Sequence, residues 1–211
     1  MSHPQPTLQP AGRSTRAIGL FLGVLVGLLA LDLIVKYLAF AYLGPQPVDI
    51  PAVLEGQQPL PDDTRIVIPY LLGFKLTLNP GAVFGLWAGY RWMFIVATFV
   101  AVAIVSYFFY TSDRRERIVH IALAGILAGA LGNLYDRIVY SVVRDMLWLF
   151  PNLELPFGWT WPGGSPYLYP WLFNLADAYL LIGIFVVLIR SITTDIQRAR
   201  QQKQEAKSDT P

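Results

Sequence analysis

The chain has 211 residues, of which 55% are hydrophobic and only 14% charged, with a formal net charge of +2. Soluble domains carry about 25% charged residues, so this composition excludes disorder over most of the length and argues against an ordinary soluble fold; the mean hydropathy of +0.47 agrees. Cys is absent and His3 and His120 are the only histidines, which excludes a disulfide framework, a thiolate nucleophile and a His-rich zinc site, and so small a net charge gives no reason to expect nucleic acid.

A membrane span needs about 20 predominantly apolar residues, and four stretches qualify. Residues 1–16 read as a disordered cytoplasmic tail. The first span covers 17–43, apolar through Leu31 and then carrying Asp32 and Lys36; its apolar core is longer than that of a cleavable signal sequence. Segment 44–91 follows, with Pro45, Pro47, Pro51, Pro59, Pro61 and Pro69 opposing a long helix, and β-branched and aromatic residues over 64–78 predicting a few short strands. The second span, 93–110, carries no charge. The third covers 118–135 and the fourth 171–189. Between them, 136–170 ends in a stretch, 151–170, with five Pro, three Gly and the aromatics Trp159, Trp161, Tyr167 and Tyr169, which predicts a surface loop at the membrane–water boundary. Residues 197–211 read as a second disordered tail, leaving 17–196 as one four-helix membrane domain.

Orientation follows the Lys/Arg bias. Arg13, Arg16, Arg114, Arg115, Arg117, Arg190, Arg198, Arg200, Lys203 and Lys207 account for ten of the sixteen basic residues and fall on one side of the four spans. Both termini are therefore expected in the cytoplasm, with 44–91 and 136–170 outside.

Ionisable groups near hydrocarbon cost about 2.5–3.5 kcal/mol each, yet several occur here at one depth, the outer ends of the spans. Asp32 and Lys36 are spaced i,i+4 and can pair as a structural couple. Asn133, Asp136 and Arg137 end the third span; Asp136 with Arg137 suits an interfacial ion pair, and Asn133 and Asn174 suit interhelical hydrogen bonds. Gly125, Gly129 and Gly132 form a small-residue series of the kind that lets helices approach closely. His120 lies far from this layer. Asp145, in an otherwise apolar segment, and Asp177, at the start of the fourth span, have no opposite charge at helical spacing. Two close carboxyls cannot easily both ionise, so one holds a proton while the other stays charged, and such a pair can deprotonate water and protonate a leaving amine.

Five segments carry a family resemblance. Residues 31–39 (LDLIVKYLA), 79–86 (NPGAVFGL), 128–138 (AGALGNLYDRI), 142–147 (VVRDML) and 173–183 (FNLADAYLLIG) resemble, in order and approximate spacing, the motifs of the lipoprotein signal peptidase (signal peptidase II) family of bacterial membrane aspartic endopeptidases. The resemblance implies a catalytic dyad of Asp145 and Asp177. It further implies that Asn79, Gly81, Asn133, Arg137, Asn174 and Ala176 line or support the site, while Asp32, Lys36 and Asp136 serve structure. The implied reaction is metal-independent, cofactor-free hydrolysis of the peptide bond before the diacylglyceryl-modified Cys of a prolipoprotein. The implied setting is the outer face of the bacterial inner membrane, in contact with lipid, in an enzyme expected to be a monomer; the extended segment 64–85 is expected to form a small extracytoplasmic β cradle that takes the peptide by strand addition. Three positions depart from the pattern: Pro80 removes a backbone donor, Val83 adds bulk, and Arg144, if folded back, favours the charged form of Asp145. The 151–170 insertion is either a lid over the substrate or a surface elaboration.

Three other classes compete. A proton- or ion-coupled transporter would use the same Asp residues, although the second span offers only Thr98 and Ser106 as polar lining. A metal-dependent lipid transferase would use Asp32, Asp136, Asp145 and Asp177 as Mg²⁺ ligands. A non-catalytic adaptor would tolerate loss of either Asp145 or Asp177.

Overall fold

The computed structural model describes residues 9–81 and 91–208, with side chains through 202. Val83 and Phe84, together with residues 1–8 and 209–211 of the expected tails, lie outside the described residues. In chain order the elements are α1 (Thr15–Tyr42), α2 (Ile50–Leu54), β1 (Arg65–Ile68), β2 (Leu72–Asn79), α3 (Arg91–Thr111), α4 (Arg117–Val139), β3 (Val143–Leu149), β4 (Leu172–Phe173) and α5 (Leu175–Ser208). Among the described residues four helices, α1, α3, α4 and α5, are long and apolar enough to cross a membrane. Inside hydrocarbon every backbone polar group must be satisfied within its own segment, which is why these apolar runs are continuous helices.

The bundle is organised around α4. Most of its apolar stretch is buried, whereas α1, α3 and α5 bury only a small share of theirs and expose residues such as Val26, Phe99, Phe185 and Leu188 on their outer faces. Such a belt would be a severe aggregation hazard in water and is the natural surface toward lipid. Small residues make the central position possible. A Cβ on Gly129 would collide with the Ala176 carbonyl of α5, one on Gly132 with the Asp32 carboxylate of α1, and one on Gly183 with the Ala122 carbonyl of α4. Gly129 and Gly132 thus play the expected packing part.

The four strands form one antiparallel sheet in the order β1-β2-β3-β4, at the end of the bundle where α1 and α4 finish and α5 begins. β1 and β2 fall in the stretch where short strands were expected. β3 was not foreseen. Its residues are buried from Val143 through Trp148, so it lacks the alternation that announces a strand. Leu76, Met146 and Leu147 pack with Ala39 and Phe40 of α1 and anchor the sheet to the helices.

Several boundaries differ from expectation. α5 begins at Leu175, because residues 172–173 pair with Leu147 and Trp148 as β4, and it continues to Ser208 where a disordered tail was expected from 197. At the other end, residues 9–16 are also ordered: a 3-10 turn at Ala11–Arg13 is held by the Ala11 N–H donating to the Ser112 carbonyl (2.8 Å) and the Arg114 N–H to the Gln9 carbonyl (2.9 Å). The 151–170 segment, where a surface loop was expected, folds back on itself. Glu154 and Tyr167 bridge its two limbs, and the Trp161 indole N–H donates to the Tyr167 carbonyl at 2.9 Å.

Candidate active site

The start of α5 carries its own stop signal for the preceding strand. Asn174 and Asp177 cap each other: the Asp177 N–H donates to Asn174 Oδ1 (3.1 Å), and the Asn174 N–H donates to Asp177 Oδ2 (3.1 Å). This reciprocal pair satisfies two helix-end donors and fixes the Asp177 carboxylate in the first turn, where the helix dipole suits a negative charge. The Asn174 side chain is thereby turned toward β3, and its amide donates to Asp145 Oδ1 at 2.7 Å.

Asp145 sits opposite Thr77 in the β2–β3 register. It is 1% exposed. Its other oxygen accepts from the Asn79 amide (3.1 Å), and Asn79 in turn accepts the Gly81 N–H through Oδ1 (2.9 Å). Burial, and next the Asp177 carboxylate, push the Asp145 carboxyl up from 3.8 to about 7, against the opposing donors Asn79 and Asn174. Asp177 Oδ1 also accepts from the Asn133 amide at 2.7 Å. The two carboxyls, 32 positions apart in the chain, thus face one cleft and are held by a shared set of asparagines.

Behind the cleft lies a buried charge network. Lys36 Nζ is 2.9 Å from Asp32 Oδ2, 3.3 Å from Asp136 Oδ2, and donates to Asn133 Oδ1 at 3.1 Å. The Asp32 contact is an ion pair without hydrogen-bond alignment; the other Asp32 oxygen accepts the Ala176 N–H at 3.0 Å. Arg144 donates through Nε and a terminal nitrogen to Asp136 Oδ1 (3.1 and 2.7 Å) and through its backbone N–H to Asp136 Oδ2 (3.0 Å). Two acids and two bases therefore balance, which is the condition for burying them at tolerable cost.

This arrangement revises two expectations. Asp136 pairs with Lys36 and Arg144, not with Arg137, whose guanidinium donates to the Gly81 and Asn133 carbonyls and lies over the Phe94 ring. Arg144 turns away from Asp145, as neighbouring side chains on a strand must. The remaining residues singled out in the sequence, Asn79, Gly81, Asn133, Asn174 and Ala176, all touch the dyad or its supports.

The cleft has a volume of about 860 Å³. Its lower walls are apolar residues of α3 and α5, among them Phe94, Ala101 and Leu181, and its upper wall is Thr77–Gly81 with Tyr169 and Trp171. The part played by Tyr169 was not read from the sequence. Trp148 holds it by donating its indole N–H to the Tyr169 carbonyl (2.8 Å). Burial, then Asp177 and Asp145, push its phenol above the ordinary range. The aromatic density of 157–173 was the available signal, but it could not say which rings face the cleft.

Fold and cleft together define a multi-pass membrane protein that brings two acidic side chains together where its helices meet a small sheet. Comparison with known proteins is specific. The sequence model described as signal peptidase (SPase) II matches residues 24–193, and the chain belongs to that family. A lipoprotein signal peptidase of Latilactobacillus sakei is 38% identical over 124 residues, 58% of this chain and 71% of the relative. One from Rhodopirellula baltica is 31% identical over 203 residues, 89% and 78% of the two chains. A bacterial membrane enzyme solved in meso at 2.3 Å shares the fold with a TM-score of 0.61, 24% identity, and coverage of 83% of this chain and 89% of that one. A second, solved at 1.9 Å, gives 0.58, 25%, 82% and 92%. Membership makes this chain a multi-pass membrane protease of the bacterial inner membrane that processes lipoproteins, and lends no support to the transporter reading.

Proposed function

We propose that the chain is an aspartic endopeptidase that needs no metal, with Asp145 and Asp177 as its dyad. It hydrolyses the bond preceding the diacylglyceryl-modified Cys of a prolipoprotein. The observation that carries this reading is the bridging by Asn174, which donates its side-chain amide to Asp145 and its backbone N–H to Asp177. One residue so holds both acids on one cleft.

The chemistry follows from the two environments. Asp145, buried and with its carboxyl pushed up to about 7, is the acid that holds a proton more readily and donates it toward the scissile carbonyl oxygen. Asp177, more accessible and set at a helix N-terminus, takes a proton from the attacking water. The C–O bond forms to give a gem-diol; the proton gained by Asp177 then passes to the departing amine as the C–N bond breaks, and the oxygen protonated by Asp145 returns its proton to Asp145 as the carbonyl re-forms. No cation is required for charge balance, since Lys36 and Arg144 already neutralise Asp32 and Asp136.

Substrate entry is supported by the shape of the cleft. It opens between α3 and α5, whose lining is apolar, so a signal-peptide helix can approach sideways from lipid. β2 pairs with β3 along its length and with β1 as far as Phe74, and a small sheet beside the two acids is a frame to which an extended peptide can align by strand addition. The basic residues at the far end of the bundle support cytoplasmic termini and a dyad at the outer face, in an enzyme that works as a monomer. The division into a 17–196 catalytic domain with short flanking segments is part of the same reading.

The test is cleavage of a diacylated prolipoprotein in detergent by wild type, Asp145→Asn and Asp177→Asn, with and without chelator. Either substitution is expected to slow turnover by about a hundredfold or more and chelator to leave it intact. Full turnover by one single variant, or loss with chelator, overturns the reading.

A further inference from the structure

A second cavity, of about 610 Å³, lies at the opposite end of α4, lined by Arg16, Arg114, Arg115, Arg117 and His120. It is about 20 Å along α4 from Asn133 and takes no part in the peptidase site. Two helix N-termini converge on it. That of α1 is capped by Ser14, which accepts the Ala17 N–H, while α4 has no side-chain cap and no acid in its first turn. Among the described residues none of the four guanidinium groups has a carboxylate partner. The nearby acids are engaged elsewhere: Glu116 with Arg190 at 3.3 Å, and Asp113 Oδ1 with the Arg115 N–H at 2.8 Å.

His120 supplies an independent indication. It is fully buried, and its protonation pattern can be read from its neighbours. The Ser112 hydroxyl lies 2.8 Å from the Phe109 carbonyl and 3.0 Å from His120 Nε2; when its one hydrogen goes to the carbonyl, it accepts from Nε2. The neutral ring then carries its proton on Nε2 and a lone pair on Nδ1. The Asp113 carbonyl lies beside the ring, yet Nδ1 has no hydrogen-bond partner among the described residues. A buried, unsatisfied acceptor in a cavity ringed by arginines asks for a ligand with both an anionic group and a hydroxyl.

We propose that this cavity binds the headgroup of an anionic phospholipid, the arginines and the two helix N-termini holding its phosphate and His120 Nδ1 accepting a headgroup hydroxyl. Depth supports a lipid source. The cavity lies level with the first turns of two spans, where lipid phosphates sit, and Ala17 and Leu20 give its lining an apolar part. Helix N-termini and guanidinium groups are the standard recognition elements for phosphate.

The experiment is native mass spectrometry of the purified full chain with dioctanoyl phosphatidylglycerol, phosphatidylmethanol and phosphatidylcholine, each with and without competing inorganic phosphate. Phosphatidylglycerol is expected to bind at least tenfold more tightly than phosphatidylcholine and several-fold more tightly than phosphatidylmethanol, which has the charge but no hydroxyl. Arg16→Gln/Arg117→Gln is expected to lose the preference while retaining prolipoprotein cleavage in zwitterionic micelles. Equal binding of phosphatidylcholine by wild type, or an unchanged preference in the double variant, overturns the site. Displacement of lipid by equimolar inorganic phosphate overturns the lipid assignment in favour of soluble phosphate. Equal binding of phosphatidylmethanol overturns the part given to His120.

Discussion

Asp145→Asn separates the catalytic part proposed for Asp145 from what its carboxyl costs the fold. In the native state burial and Asp177 push this carboxyl from 3.8 up to about 7. The native chain therefore keeps a proton between about pH 4 and 7 that the unfolded chain releases near pH 4. Stability associated with this group is fully present below about pH 4, falls as pH rises through about 7, and is flat above. At about 1.4 kcal/mol per pH unit the loss by pH 8 is about 4 kcal/mol. Asparagine cannot ionise, so the variant escapes that loss. Its new amide opposes one of the donors from Asn79 and Asn174, which costs about 1 kcal/mol. The expected outcome is a variant about 3 kcal/mol more stable than wild type at pH 8 and slightly less stable at pH 4, yet slowed by about 10²–10⁴-fold as a peptidase through loss of the acid. Denaturation in one detergent across pH 4–8 gives the wild-type-minus-variant difference, in which the titrating groups not coupled to Asp145 cancel. A difference that stays level across this range refutes the account of Asp145 as a destabilised acid.

Further substitutions test the supports. Lys36→Met leaves Asp32 and Asp136 without their shared cation and is expected to destabilise by about 3–5 kcal/mol, read as a lowered melting temperature. Asn174→Ala removes the amide held against Asp145 and the helix cap at Asp177; the loss of hydrogen bonds of about 1.5–3 kcal/mol each predicts a fall in kcat of about ten- to a hundredfold, with a much smaller change in KM. Gly129→Val drives a side chain into the Ala176 carbonyl, so α5 must move away from α4; loss of thermal stability and of cleavage together is expected, since α5 carries Asp177.

The spans were legible because bilayer solvation acts on composition over about 20 residues at a time, with no need to know the neighbours. The polar residues of the site were legible for the same reason: Asp32, Lys36, Asn133, Asp145, Asn174 and Asp177 stand out where charge and amides are expensive. Pairing was another matter. Arg137 follows Asp136 in sequence, yet the Asp136 partners are Lys36, a hundred residues earlier, and Arg144 across a turn. Local spacing cannot rank such partners, because the choice depends on which helices pack and at what rotation. β3 escaped notice since a strand buried on both faces looks like any short apolar run. The order in the flanking segments was missed because polar composition says nothing of a backbone bond such as Ala11 to Ser112. What the amino-acid sequence decided alone, then, is which segments enter the membrane and which polar groups stand at its edge. Only the tertiary structure decided that Asp145 and Asp177 share one cleft, since a strand in one segment and a helix start in another become neighbours through packing against α4, where glycines let backbones close to within touching distance.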